Sequence, residues 1–139
     1  MKPESVMESV LYAHDLVAAE EFYTRVMHLE VIARDEGRHV FFRCGRGVLL
    51  VFNPVQTSSE KTYVGGSLIP LHGTTGGGHL AFRARADELA DWRRHLQEKG
   101  IAIESEVSWP QGGHSVYVRD PAGNSVELVT PEVWAQGRV

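Results

Sequence analysis

The stretch of sequence that decides the fold is YVRDPAGNSVEL, residues 117–128, near the end of the chain. Apolar and polar side chains alternate through Ser115–Arg119 and again through Ser125–Val129, as they do in half-buried β-strands. The five residues between these strands include Asp, Pro, Gly and Asn, which favour turns. Alternation in the second strand places Glu127 on the face opposite its two apolar neighbours. The stretch therefore predicts a hairpin with one apolar face and one face that carries a carboxylate.

This hairpin ends the second of two halves that repeat one order of elements. A strand, a helix and three strands are predicted in residues 6–53, and the same βαβββ order is predicted in residues 79–131. The expected fold is a single α+β domain over residues 1–139, whose two modules form a curved, partly open, barrel-like mixed sheet with a concave cavity. Residues 54–78, rich in Gly, Ser, Thr and Pro, are expected to form a connecting loop that could serve as a lid. Residues 132–139 are expected to be a C-terminal tail.

The composition limits the classes of partner. The chain has a net charge of −4 and no basic stripe, so nucleic acid is not an expected partner. Its single cysteine, Cys44, cannot form an internal disulfide, which fits a reducing compartment. The N-terminal residues do not resemble a signal peptide, and no apolar run reaches the length of a membrane span. We therefore expect a cytoplasmic protein without a membrane partner.

Three side chains that could bind a metal fall at comparable places on predicted strands: Glu8, His79 and Glu127. In each strand the apolar residues are expected to pack on a helix, which leaves these three facing the cavity. A carboxylate facing the inside of a sheet is unfavourable unless it is paired or bound to a cation. One imidazole and two carboxylates can bind Mn²⁺, Fe²⁺, Zn²⁺ or Mg²⁺ and leave positions open. Each residue alone also has an ordinary structural explanation, so the metal hypothesis depends on their joint placement.

The motifs together resemble those of a known family. The residues DL and FY within 15–23, the strand GHLAF at 78–82 and the final hairpin are similar to the vicinal oxygen chelate superfamily. This superfamily includes glyoxalase I, bleomycin resistance proteins, fosfomycin resistance transferases and extradiol dioxygenases. The resemblance extends over about residues 6–131 and implies paired βαβββ modules with a metal on the concave face. It places the metal ligands at Glu8, His79 and Glu127.

Two departures from the family pattern bear on the reaction. The first ligand in many members is His or Gln, whereas this chain has Glu8. Glyoxalase I also has a fourth ligand on the last strand of its first module, where residues 48–51 of this chain are all apolar. The resemblance therefore favours the three-ligand pattern of the fosfomycin transferases and dioxygenases.

Further polar and aromatic residues are expected to line the cavity. Tyr117 occupies the place of a substrate-contacting tyrosine in fosfomycin transferases, so it could stabilise an oxyanion or act as an acid. Arg83 could hold an anionic substrate group, although a surface ion pair is an equal alternative. The candidates for substrate binding are Ser115, Tyr12, Trp109 and Arg119. His39 and His114, which begin HVFF and HSVY at matching places in the two halves, are either general bases or exposed loop residues.

These observations predict a metal-dependent enzyme that chelates two adjacent oxygens of a small-molecule substrate. The expected cofactor is Mn²⁺, Fe²⁺ or Zn²⁺, and the reaction type is a lyase, a thiol transferase or a dioxygenase. We also expect a homodimer, as is common in the family. The main alternative is a metal-free protein that sequesters a drug or another small molecule, as bleomycin resistance proteins do. A purely structural or regulatory domain is a third alternative.

Overall fold

The structure, a computed structural model, describes residues 1–134. The chain divides into two compact units, the first spanning Met1–Gly76 and the second beginning at Gly77. This division falls at the end of the predicted connection and separates the two predicted modules. Of the predicted C-terminal tail, residues 135–139 lie outside the described residues.

The first unit contains the predicted βαβββ order. Its elements are β1 (Glu8–Tyr12), α1 (Leu16–Glu21) with a π-helical turn (Phe22–Val26), β2 (Glu30–Asp35), β3 (His39–Cys44) and β4 (Gly47–Phe52). The strands form an open sheet in the order β1-β4-β3-β2, in which only the β1–β4 pair is parallel among the described strands. The parallel pair requires a crossover, and α1 supplies it.

Local sequence explains how this helix begins and which face it buries. Asp15 is the N-cap, and its side chain accepts a hydrogen bond of 2.9 Å from the backbone N–H of Ala18. The buried Tyr23 ring lies 5.5 Å from that of Phe42, which points from β3 toward the helix. Leu11 on β1 is buried on the same side. The predicted alternation of helix-facing and opposite residues in β1 is confirmed.

The connection between the modules is more regular than its composition suggested. It contains α2 (Pro54–Ser59) and a hairpin of β5 (Thr62–Val64) and β6 (Ser67–Ile69), all within the first unit. Asn53 caps α2, whose first residue is a proline, and this is the usual place for proline in a helix. Gly65 and Gly66 both have positive φ, which a tight hairpin turn requires. The lid role of this segment stays a prediction.

The second unit repeats the order of the first. Its elements are β7 (His79–Arg83), a 3₁₀ turn (Ala86–Glu88), α3 (Leu89–Glu98), β8 (Ser105–Ser108), β9 (His114–Arg119), β10 (Ser125–Val129) and a 3₁₀ turn (Pro131–Trp134). The open sheet has the order β7-β10-β9-β8, and β7 is parallel to β10. The strand after α3 begins only at Ser105, because the chain leaves α3 through Gly100, with φ of 70°, and needs several residues to reach the sheet.

The structure confirms the α+β class and the repeated βαβββ order. The strands of the two modules form two four-stranded sheets that are not closed into a barrel. Within residues 1–134, no helix is long and apolar enough to span a membrane.

Candidate functional site

Strand register brings four polar side chains to one face of the sheet in the second unit. Ser125 lies opposite His79 on β7, and Glu127 lies opposite Tyr117 on β9. Residues that are opposite or two positions apart along a strand share a face. The neighbours of Glu127 on β10, Val126 and Leu128, are buried on the other face of the sheet. A candidate site can therefore be defined on the polar face that these four residues share, whereas the predicted cavity on that face stays a prediction.

The centre of this site is a histidine–carboxylate pair. Nε2 of His79 lies 3.2 Å from Oε2 of Glu127. The two side chains differ in environment, because His79 is 52% exposed and Glu127 only 9%. A carboxylate that is this buried requires hydrogen-bond donors or a cation. One exposed nitrogen and one buried carboxylate oxygen thus converge on the same point.

Ser125 sets the orientation of the imidazole. Nδ1 of His79 lies 3.1 Å from the backbone oxygen of Ser125 and 3.2 Å from its hydroxyl oxygen. A carbonyl oxygen can only accept, so Nδ1 carries the hydrogen in this contact. In a neutral imidazole the lone pair is then on Nε2, the atom that faces Glu127. The sequence did not indicate this role for Ser125, because its place opposite His79 depends on the pairing of β7 with β10.

The other oxygen of Glu127 is already engaged. The hydroxyl of Ser115 donates a short hydrogen bond to Oε1 of Glu127, and it accepts one of 2.8 Å from Nε1 of Trp109. Ser115 is 1% exposed, so this chain of hydrogen bonds is largely shielded from water. Ser115 therefore contacts the carboxylate directly, and Trp109 contacts it through Ser115. The role of these two residues in substrate binding stays a prediction.

Tyr117 completes the polar face. Its ring is roughly parallel to that of His79, at an angle of 28° and a centroid distance of 6.3 Å. Burial raises the pKa of the Tyr117 phenol, Ser115 lowers it through a hydrogen bond, and Glu127 raises it. Since the net shift is upward from 10.0, the phenol stays protonated near neutral pH. Tyr117 can therefore donate a hydrogen bond beside the His79–Glu127 pair.

The turn between β9 and β10 fixes the start of β7. The Asp120 carboxylate accepts hydrogen bonds from the backbone of Ala122 and Asn124 and from the Asn124 side chain, at 2.8–3.0 Å. Oδ1 of Asn124 accepts a 2.7 Å hydrogen bond from the N–H of Gly78, next to His79. A Cβ on Gly77 would lie 2.9 Å from the backbone oxygen of Gly123, so the turn and the strand approach too closely for a side chain.

The remaining predicted site residues have other contacts. Arg119 forms an ion pair with Glu104, with a shortest distance of 2.5 Å, and also donates to the backbone oxygen of Gly123. Arg83 is exposed on β7, two residues after Ala81, which pairs with Glu127 on β10. In the first unit, the hydroxyl of Tyr12 is hydrogen-bonded to Nδ1 of His72 at 2.7 Å. The proposed roles of these residues in binding or catalysis stay predictions.

The register of the first unit locates the counterparts of these residues. Glu8 is the first residue of β1 and pairs with Val48, just as His79 begins β7 and pairs with Ser125. Glu8 is exposed, and it belongs to the first unit, whereas His79 and Glu127 belong to the second. Leu50, which pairs with Val10, is at the place of Glu127.

One predicted correspondence is wrong by one residue. In β3, His39 pairs with Phe52 at the end of β4, and in β9 it is Ser115 that pairs with the end of β10. His39 therefore matches Ser115 and not His114. His114 lies on the opposite face of its strand, because a shift of one residue reverses the direction of every side chain.

Aromatic rings cover one face of the first sheet. His39 stacks on Phe41 with a centroid distance of 4.0 Å, and Phe41 lies 5.2 Å from Phe52. Phe52 is in turn 4.8 Å from His72, the hydrogen-bond partner of Tyr12. The sequence analysis did not include His72, which lies in the connection and carries no periodic signal.

The donor atoms of the second unit suit a divalent cation. Among residues 1–134, no three or more His, Cys, Asp and Glu side chains are close enough together to form a metal site. The His79–Glu127 pair nevertheless brings an imidazole nitrogen and a carboxylate oxygen within 3.2 Å of each other. This combination of imidazole nitrogen and carboxylate oxygen is typical of sites for Zn²⁺, Mn²⁺ and Fe²⁺.

Comparison with known proteins gives a consistent result. The model of the Glyoxalase/Bleomycin resistance protein/Dioxygenase superfamily matches residues 6–128. A glyoxalase domain-containing protein of Mycosarcoma maydis is 29% identical over 123 residues, which is 86% of this chain. The chain covers 64% of the length of that relative.

Solved structures extend the comparison to the fold. The crystal structure of lactoylglutathione lyase from Agrobacterium tumefaciens has a TM-score of 0.88 and 42% identity, covering 96% of this chain and 98% of that chain. A glyoxalase/bleomycin resistance protein/dioxygenase from Nocardioides has a TM-score of 0.72 and 20% identity, covering 94% of this chain and 85% of that chain. The second likeness shows the fold alone.

Proposed function

The chain belongs to the Glyoxalase/Bleomycin resistance protein/Dioxygenase superfamily, and on that basis we propose that it is a divalent-metal-dependent enzyme acting on a small molecule. The observation that carries the proposal is the convergence of Nε2 of His79 and Oε2 of Glu127 at 3.2 Å. His79 and Glu127 would hold the ion. The role of Glu8 as a third ligand stays a prediction from the sequence. The metal is proposed to be Mn²⁺, Fe²⁺ or Zn²⁺.

When bound, such an ion supplies Lewis-acid stabilisation of negative charge that develops on substrate oxygens. The protein side chains orient the metal ligand and provide a hydrogen-bond donor for the substrate. Ser125 holds His79 with Nε2 directed at the site, and the protonated phenol of Tyr117 donates a hydrogen bond to a substrate oxygen. Arg83, exposed on the same face of β7, is the proposed partner of an anionic substrate group.

A lyase is the reaction class that the relatives support best. The Agrobacterium tumefaciens protein named lactoylglutathione lyase is 42% identical over nearly the whole chain. Leu50, an apolar residue at the place matching Glu127, leaves the first unit without a second carboxylate there. This difference favours a substrate or a thiol unlike that of a four-ligand glyoxalase I. A thiol transferase therefore stays the nearest alternative reaction, and a dioxygenase is less well supported.

The proposed function is tested by metal analysis combined with a turnover assay. Untagged protein should contain about one divalent metal per chain, or bind one when it is loaded with Mn²⁺, Fe²⁺ or Zn²⁺. The loaded protein should convert the adduct of a small 2-oxoaldehyde with a thiol, either glutathione or another, to the 2-hydroxyacyl thioester. The rise in thioester absorbance would measure this reaction, and a chelator should abolish it. Absence of bound metal after loading with each ion would overturn the proposal. Bound metal without thioester formation would retain the metal centre and reject the lyase reaction.

Replacing Tyr117 with phenylalanine is expected to lower kcat on the order of 100-fold, as the loss of one oxyanion donor does elsewhere. The ring and its packing beside His79 are kept, but the phenol interaction with Glu127 is lost, so metal affinity should also fall, by no more than the roughly 10–100-fold typical of residues that hydrogen-bond a ligand. Steady-state kinetics and metal titration would measure the two effects separately. Tyr63→Phe, at an exposed hairpin position, is the matched control and should leave kcat unchanged. Full turnover by the Tyr117 variant would remove this residue from the mechanism.

A metal-free binding protein is the second candidate. The observation in its favour is the aromatic face of the first unit, where the rings of Phe41, Phe52 and His72 are in contact. Such a face suits a flat aromatic compound. Stoichiometric binding of bleomycin by chelator-treated protein, lost in Phe41→Ala, would support this candidate over the enzyme. A homodimer and a cytoplasmic location stay predictions from the sequence.

A further inference from the structure

We propose that Ser115 and Trp109 are positioning residues that present Glu127 to a cation through one oxygen only, Oε2. The inference rests on the metal centre proposed above and adds how its buried carboxylate is held. It also assigns to Ser115 and Trp109 a function that does not require either residue to touch the substrate.

The direction of the hydrogen bonds is fixed by chemistry. An indole N–H can only donate, so the 2.8 Å contact makes Ser115 an acceptor from Trp109. The single hydroxyl proton of Ser115 is then directed at Oε1 of Glu127, which can only accept while it is ionised. The order from Trp109 through Ser115 to Glu127 therefore has one polarity, and each bond supports the next.

Burial keeps water from replacing these hydrogen bonds. Ser115 is 1% exposed and Glu127 is 7% exposed as a whole residue. Hydrogen bonds to a charged group in such surroundings are stronger than bonds at the surface. The carboxylate cannot rotate freely, because rotation would break the hydrogen bond that Ser115 donates to Oε1.

The consequence is a carboxylate with one oxygen left for a cation. Oε1 is engaged by Ser115, whereas Oε2 faces Nε2 of His79 at 3.2 Å. Binding through both oxygens would require Oε1 to leave Ser115. Single-oxygen binding suits Zn²⁺, which usually takes four ligands, more than Ca²⁺, which takes 6–8 oxygen ligands.

The test compares metal binding by Ser115→Ala, Trp109→Phe and the double variant with the unmodified protein. Metal affinity, measured by titration calorimetry, should fall roughly 10–100-fold in Ser115→Ala, which is typical of an outer partner of a ligand. Trp109→Phe keeps an aromatic ring and removes the donor, so its loss should be smaller. The double variant should bind no more weakly than Ser115→Ala, because Trp109 acts through Ser115.

A second readout separates positioning from simple destabilisation. The Co²⁺-loaded Ser115→Ala protein should show weaker visible absorption, because release of Oε1 allows the carboxylate to bind through both oxygens and raises the coordination number. Ser108→Ala and Trp134→Phe are the matched controls, since Ser108 contacts His114 and Trp134 is exposed. Neither should change the affinity or the spectrum. If Ser115→Ala fails to fold, Trp109→Phe carries both measurements.

The outcomes distinguish this inference from the proposed function. Metal binding by the unmodified protein with equal affinity and an identical Co²⁺ spectrum in Ser115→Ala would overturn the inference and leave the metal centre in place. Failure of the unmodified protein to bind any of the ions would overturn both. A lower affinity with an unchanged Co²⁺ spectrum would also reject single-oxygen positioning.

Discussion

Glu127→Gln is expected to abolish tight metal binding while the protein stays folded. Glutamine keeps the shape of the side chain and an oxygen that can accept from Ser115. It removes the negative charge, and its amide group can place a donor where Oε2 now faces His79. Mutation of a residue that only hydrogen-bonds a metal ligand typically lowers metal affinity roughly 10–100-fold. Glu127 is a direct ligand in the proposal, so the affinity of Glu127→Gln should fall by more than that. Titration calorimetry with Zn²⁺ and Mn²⁺ would measure the loss.

Stability should change in the opposite direction in the metal-free protein. Glu127 is a buried carboxylate, and neutral glutamine removes the penalty for keeping a charge away from water. We therefore expect metal-free Glu127→Gln to unfold in urea at the same or a higher denaturant concentration than the unmodified protein. Added metal should stabilise the unmodified protein and leave the variant unchanged, because only the former binds it.

An exposed glutamate supplies the control for this prediction. Glu106 forms an ion pair of 2.7 Å with Arg93 on the surface of the second unit. This ion pair is separate from the His79–Glu127 pair. Glu106→Gln should keep the metal affinity of the unmodified protein. If Glu127→Gln bound metal as tightly as Glu106→Gln, the His79–Glu127 pair would not be the metal centre.

Strand periodicity made the repeated module and the orientation of its side chains predictable. The placement of Glu127 on the face opposite Val126 and Leu128 followed from the alternation in β10, and its contact with His79 on the neighbouring strand is consistent with that placement. The start of α1 at Asp15 likewise depends on a local signal, a capping residue before an apolar helix face. These features depend on local sequence alone, so they can be obtained without knowledge of the pairing between strands.

Features that depend on the pairing could not be obtained in this way. Matching His39 with His114 was an error of one residue, which only the register of β9 against β10 corrects. The contact of Ser125 with His79 joins residues 46 positions apart and depends on the register of β7 against β10. The hydrogen bond of Ser115 to Glu127 depends on the register of β9 against β10. Sequence periodicity places such residues on a face but does not determine which of them touch.

The regular elements of the connection escaped prediction for another reason. The hairpin of β5 and β6 has three residues in each strand, which is too short for alternation to be distinguished from chance. Its exposed apolar residues, including Tyr63, also lack the buried face on which pattern arguments depend. Turn chemistry at Gly65 and Gly66 was the stronger signal.

Asp120→Ala is expected to destabilise the protein by about 3 kcal/mol or more, because each buried donor left without an acceptor costs about 1–3 kcal/mol. The Asp120 carboxylate, 4% exposed, accepts from two backbone N–H groups and from the side chain of Asn124. Urea unfolding of the metal-free protein would measure the change. Asp91→Ala removes an exposed ion pair with Arg94 and should change stability by less than about 1 kcal/mol. Equal effects of the two substitutions would contradict the prediction.

The same substitution should also weaken the metal centre, because the turn holds the strand that carries His79. Asn124, oriented by Asp120, accepts the 2.7 Å hydrogen bond from Gly78, the residue before His79. Loss of that orientation frees the first residues of β7 and lets Nε2 of His79 move away from Glu127. Asn124→Ala, which removes the acceptor for Gly78 directly, should therefore lower metal affinity as Asp120→Ala does, whereas Asp91→Ala should not. If Asn124→Ala destabilised the fold but kept full metal affinity, the turn would support the sheet without positioning the ligand.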